Sequence, residues 1–316
     1  MNSFAINGGD TAGITPDELG GWYSGDNARL FRLMSIFLNL APDYIEADMI
    51  DGIAGDPASR SEKDTVFAYA SVAAAACGLD VWGNREDRRF FGERFLPMFA
   101  LMDTVPFKSD PYYRNIAFPD GEEGDWRFET RTCRPYEAFV RGDPEVSRGR
   151  DGKILVTPRI GFFTGEYRYP AVTEKGREWM TLMPNETLTS AYAVERSRGR
   201  VLTFGLGLGY FTYMAARKPE VESVTVVERD PSVIDLFRRH ILPQFPDAGK
   251  VSLVTGDAFE YAENVMPAGG FDTVFCDIWH DPSDGVPLYL RMKEIASRTP
   301  GPEYIYWIED TLRLYI

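Results

Sequence analysis

The chain has 316 residues, with 34 Lys and Arg against 48 Asp and Glu, for a formal net charge of −14. A hydrophobic content of 44 % excludes a disordered protein, and the length points to two domains at roughly 100–200 residues each. The acidic balance excludes general nucleic-acid binding through a basic surface. Two histidines and three scattered cysteines (Cys77, Cys133, Cys276) leave too few ligands for a disulfide framework or a His- or Cys-based metal site, so no metal is expected.

The first thirteen residues carry neither a basic cluster nor an apolar run, so no export signal is expected. Val66 to Leu79 is the least polar stretch, too short to span a bilayer, and predicts a buried helix. These features predict a cytoplasmic protein without membrane contact. Residues 1–150 should form a mainly helical N-terminal domain. Thr15-Pro16-Asp17-Glu18 has an N-cap, a proline and acids at a helix start. Asp26 to Leu40 repeats Leu30, Leu33, Met34 and Phe37 at helical spacing. Ser61 opens a second helix that Gly78 closes, and Asn84 caps a third running through Phe90, Phe91, Phe95 and Met98, whose aromatics are expected in the core. Between Phe107 and Gly152, Pro, Gly and charge interrupt every apolar run, which predicts irregular structure.

Residues 151–199 predict a β-rich segment, with strands at Lys153–Thr157 and Ile160–Arg168, and a bridging helix from Pro184 to Gly199. From Arg200 to the C-terminus, strand and helix alternate, which implies βαβ units in a parallel sheet; residues 200–316 therefore form an α/β, Rossmann-like domain. Its ligand crevice lies at the carboxyl ends of the strands. There Gly205-Leu206-Gly207-Leu208-Gly209-Tyr210 forms a glycine-rich turn at a helix start, and Tyr210 stands where a dinucleotide fingerprint needs glycine, which argues against a nicotinamide cofactor. Glu228 ends the second strand, where an acid accepts ribose hydroxyls, although a solvated strand-end acid is the simpler alternative. Asp257, after the third strand, is placed to accept from an adenine amino group, to cap the next helix, or both. Asp277-Ile278-Trp279-His280-Asp281 ends the fourth strand on the same crevice. The fifth strand, near Tyr304–Ile308, leaves too few residues for two more strands, so this apolar edge should be covered by the N-terminal region or by a second subunit in a homodimer.

The segment Val201–Asp281, with its GLGLG turn, VVERDPSVI, GDA and FDTVFCD, resembles a class I S-adenosylmethionine-dependent methyltransferase, most like the spermidine-synthase branch. The resemblance implies S-adenosylmethionine as cofactor, held by Gly205, Leu206, Gly207, Gly209, Glu228, Arg229, Asp257, Ala258 and Asp277. That branch also carries a glutamate about twenty residues before the glycine turn, and Glu186 stands there as a substrate-binding candidate. Two departures bear on the substrate. Leu208 replaces the aspartate of the polyamine synthases' turn, and Ile278-Trp279-His280 interrupts their Asp-Ser-Ser-Asp-Pro motif. Direct displacement at a sulfonium methyl needs orientation and, for a proton-bearing nucleophile, a base. Asp277, His280 and Asp281 are the catalytic candidates, with Trp279 and Tyr210 against the substrate. The expected activity is methyl transfer to a small molecule, an amine being one option; aminopropyl transfer, or cofactor binding without turnover, are the alternatives.

Overall fold

The computed structural model describes residues 19–40, 44–149 and 151–316. The helix start expected at Thr15–Glu18 lies outside them. The chain divides into two compact units, one made of Pro106–Thr130 and Pro170–Ile316, the other of Arg131–Tyr169 with the described residues of Asn7–Val105.

In the second of these units, helices Gly25–Leu40 and Glu62–Ala76 both contribute side chains to the core. Ser61 caps the latter, its hydroxyl accepting from the Asp64 N–H while the Asp64 carboxylate accepts from the Ser61 N–H, a reciprocal capping box. The core gathers Leu30, Phe37, Tyr69, Phe95, Phe99 and Phe162, and the Tyr69 and Phe162 rings stack at 3.8 Å. The aromatic run after Asn84 is core, as expected. Its helix changes pitch, however: Arg85–Phe90 is α-helical, Phe91–Phe95 forms a π turn, and Leu96–Met98 around Pro97 tightens to a 3₁₀ turn.

The stretch 107–152 is more regular than its composition implies. Trp126–Cys133 is an eight-residue strand, paired antiparallel with Gly121–Glu123, and Glu145–Arg148 pairs with Ile154–Thr157. Trp126 and Phe128 are buried while Arg127 between them is exposed, so the charges that interrupt the apolar run are the outward face of a pleated strand. A second hairpin joins Tyr167–Glu174 to Arg177–Thr181, Ala171 opposite Thr181. Helix Pro184–Arg196 follows.

The parallel sheet consists of β1 (Gly199–Phe204), β2 (Val221–Glu228), β3 (Val251–Thr255), β4 (Thr273–Cys276) and β5 (Glu303–Tyr306). Helices α1 (Tyr210–Ala216), α2 (Pro231–Leu236), α3 (Ala258–Asn264), α4 (Pro282–Ser297) and α5 (Glu309–Arg313) alternate with them. The spatial order β3-β2-β1-β4-β5 is Rossmann-like, with the order reversing at β1. Buried Val201, Val224, Val226 and Val274 make the sheet interior, as expected for strands covered on both faces. The helical run from Pro231 to Ile241 is two pieces, because the chain loosens into a π turn over Phe237–Ile241. β5 is an edge of the sheet. Its Glu303 carboxylate pairs with Arg196 (2.6 Å) and Arg198 (2.8 Å), and the Trp307 indole N–H just beyond it donates to Thr189 of helix Pro184–Arg196. The chain's own helix thus packs beside the last strand. Among the described residues no helix is long and apolar enough to cross a membrane.

Candidate functional site

β1 delivers the glycine turn at the switch point of the sheet. Gly205, Gly207 and Gly209 all have positive φ (94°, 51° and 81°), a region that costs side-chain-bearing residues energy. At Gly205 the requirement is also spatial, since a Cβ would overlap the carbonyl oxygen of Asp277 at the end of β4. Gly205 N–H donates to Val227 and Asp277 N–H to Phe204, so the turn is stitched across three strands. Tyr112 donates its hydroxyl to the Leu208 carbonyl and fixes the far side of the turn. The N–H groups of Gly207 and Leu208 meet no acceptor among the described residues and stand at the start of α1.

Glu228, at the end of β2, reaches back to this turn. Its Oε2 accepts from Leu206 N–H at 3.2 Å and its Oε1 from Asp230 N–H at 3.0 Å. Each carboxylate oxygen has a second lone pair free, so the same group can take ribose hydroxyls while holding the turn. Asp257 does cap α3: Oδ1 accepts from Phe259 N–H (2.9 Å) and Glu260 N–H (3.0 Å), which leaves Oδ2 without a recorded donor. The capping and adenine readings are compatible.

Beside the turn lies a small cavity that opens to solvent. It is lined by the turn itself and by Met180, Leu182, Glu186, Tyr210 and Asp277. No hydrogen bond or ion pair among the described residues engages the Glu186 or Asp277 carboxylate. Burial pushes Glu186 up to about 8, with the Asp277 charge adding to the rise. Burial likewise pushes Asp277 up to about 7, opposed by the charge of His280. Two acids of raised proton affinity in one cleft, the charge of Asp277 acting on Glu186, are the pattern of a site built for proton transfer or for a cation.

The remaining candidates stand elsewhere. His280 is exposed, and its Nδ1 is 2.8 Å from Asp284 at the start of α4. Asp281 is the N-cap of α4, accepting from Ser283 N–H at 2.6 Å. Trp279 is buried against Gly285, its indole N–H donating to the Trp307 carbonyl at 3.2 Å, and it does not line the cavity. Tyr210 does line it, and donates its hydroxyl to Asp110 at 3.0 Å; burial raises the Asp110 carboxyl. Arg229 is exposed, Leu206 buried and Ala258 half-buried at the first turn of α3. Sequence reasoning missed Asp110, whose only signal is that it precedes Pro111 as a helix cap, and the hairpin residues Met180 and Leu182, which read as ordinary strand.

The residues present suit an adenosyl cofactor with a charged side chain: free N–H groups at the turn, a carboxylate at the end of β2, and a cap at α3 with one oxygen to spare. No family model matches the chain. In sequence it is similar to the polyamine aminopropyltransferase of Mycobacterium tuberculosis, 29 % identical over 163 residues, which cover 49 % of this chain and 28 % of that protein. It is also similar to the tRNA (guanine-N(7)-)-methyltransferase of a Polaromonas species, 26 % identical over 147 residues, covering 44 % and 58 %. The chain thus spans under two thirds of the length of either curated relative. Among solved structures, the O-methyltransferase TomG from Streptomyces achromogenes, in complex with SAM, aligns with a TM-score of 0.31 and 24 % identity, covering 39 % of this chain and 53 % of that one.

Proposed function

We propose that this chain, which resembles the class I S-adenosylmethionine-dependent methyltransferases in sequence and sheet order, transfers the sulfonium methyl group to a small molecule, and that the acceptor is an amine. The observation that carries the reading is the pair Glu186 and Asp277, two unpaired and half-buried carboxyls in the cavity beside the glycine turn. Bound there, S-adenosylmethionine supplies a methyl group activated for direct displacement. Glu228 holds the ribose hydroxyls, Asp257 Oδ2 the adenine amino group, and the Gly207 and Leu208 N–H groups the polar edges of the cofactor. An ammonium entering the cavity lowers the proton affinity of both acids by its charge, so they ionise and hold it. Asp277 then takes the proton from the amine, which frees the lone pair for attack on the methyl carbon and leaves the carboxyl protonated. His280, exposed and held by Asp284, acts on Asp277 through its charge, and Asp281 fixes the start of α4.

In this reading residues 200–316 carry the cofactor, 151–199 lend Glu186, and from residues 1–150 Tyr112 holds the glycine turn and Asp110 holds Tyr210. Three free cysteines support a reducing, cytoplasmic setting, and the acidic composition supports a small-molecule rather than a nucleic-acid substrate.

Aminopropyl transfer is the second reading, favoured by the similarity to the polyamine aminopropyltransferase and weakened by Leu208 in place of an acid. Incubation with a panel of primary and secondary amines and either S-adenosylmethionine or its decarboxylated form, read by mass spectrometry, separates the two. Methylated amine is expected, with turnover in Asp277→Asn down roughly 10²–10⁴-fold while cofactor affinity stays near normal. Aminopropylated product from the decarboxylated cofactor alone, or no methylated amine from the panel with S-adenosylmethionine, would overturn the proposal.

A further inference from the structure

In the unit that contains Arg131–Tyr169, strand Phe139–Val140 runs antiparallel to Ile160–Phe162, with Phe139 opposite Gly161 and Val140 opposite Ile160. One step further in the same register sets Arg141 opposite Arg159, and the Arg141 N–H donates to the Arg159 carbonyl at 2.9 Å. Directly opposed residues place their side chains on one face of the ladder, Cβ atoms about 4.5–5.5 Å apart, and like charges there repel.

The repulsion is not relieved by the chain. Both arginines are half-buried, and among the described residues neither guanidinium has a hydrogen bond or an ion pair. The Nε of Arg141 is buried without any partner. Burial, with the charge of Arg159 adding to it, pushes the Arg141 guanidinium down to about 10, while the charge of Glu145 acts the other way. Glu145 is exposed and forms no ion pair with either arginine. Other arginines of this unit do find acids, as Arg29 with Asp87 and Arg60 with Asp51, both at 2.5 Å. In a chain with 48 acidic residues, two facing arginines that meet none, one with a buried orphan donor, call for a ligand to account for them.

We infer that Arg141 and Arg159 form a binding site for the phosphate group of a small molecule. A phosphate carries about −1.5 to −2 charges near neutral pH and so balances two guanidiniums, where a single carboxylate balances one. The guanidinium fork also matches phosphate oxygens in bidentate geometry. The site does not depend on methyl transfer or on the Glu186–Asp277 cavity.

Two sources fit this chemistry, inorganic phosphate and a phosphomonoester. Thermal unfolding and calorimetric titration of the full chain with sodium phosphate, with glycerol 3-phosphate and with sodium chloride at matched ionic strength test it. Both phosphates are expected to raise Tm by several degrees over chloride in the wild type. In Arg159→Gln, affinity for either is expected to fall at least tenfold. Without phosphate the same variant should unfold at a higher temperature than the wild type, since one of two repelling charges is gone, and this crossover is a signature no purely structural arginine gives. A larger gain with glycerol 3-phosphate identifies an organic phosphate as the ligand, and an equal gain identifies the free ion. No gain over chloride, or the same gain in Arg159→Gln, overturns the site.

Discussion

Glu186 and Asp277 hold their protons well above the usual carboxylate range, up to about 8 and about 7, and this has a cost as well as a use. In the unfolded chain both titrate near roughly 4. Folding therefore favours their protonated forms, and stability from this pair is fully present below pH 4 and lost as pH rises through 7 to 8. Glu186→Gln removes the larger part of that loss. The variant is expected to match the wild type in thermal unfolding near pH 4 and to exceed it near pH 8 by about 1–3 kcal/mol, the scale of an unpaired buried polar group. A constant difference across that range would contradict the burial of an unpaired acid. Neither property was legible from residue order alone. Asp277 was recognisable as a strand-end acid, but Glu186 entered only through resemblance, because nothing local to Pro184-Asn185-Glu186 says that a helix turns it toward β1. His280 drew attention by its residue type; the competing signal, Asp284 four residues on, marks the helix start that holds it instead.

The elements of the parallel sheet were legible because buried strands leave continuous apolar runs and their helices carry marked caps, Asp230, Asp257 and Asp281 among them. The hairpins were not, since Arg127 and Glu129 alternate with buried Trp126 and Phe128 and resemble interruptions until the pleat is known. The π turns at Phe91–Phe95 and Phe237–Ile241 have no compositional mark beyond the prolines that follow. Among elements, the β1–α1 turn makes the sharpest demand on one residue type. Gly205→Ala is expected to destabilise the protein by at least about 1–2 kcal/mol for the positive φ alone, and more for the contact with the Asp277 carbonyl. Denaturant unfolding measures this, and a variant as stable as the wild type would show that the turn tolerates a side chain.

For the whole molecule, length and charge narrowed the field, and the order of strands set the crevice at the carboxyl ends of β1, β2 and β4. Function was legible at the level of a cofactor class, because the turn and the strand-end acids recur at fixed places on such sheets. The acceptor was not, since its pocket draws on Met180 and Leu182 from a hairpin whose sequence carries no chemical signature. The account rests above all on Glu228 serving both the Leu206 N–H and a bound ribose. Calorimetric titration of the wild type and of Glu228→Ala with S-adenosylmethionine tests it directly. The wild type is expected to bind, and the variant to lose about 1.5–3 kcal/mol of binding free energy, the scale of hydrogen bonds to a charged group. No binding by the wild type, or an affinity unchanged in the variant, would contradict the account.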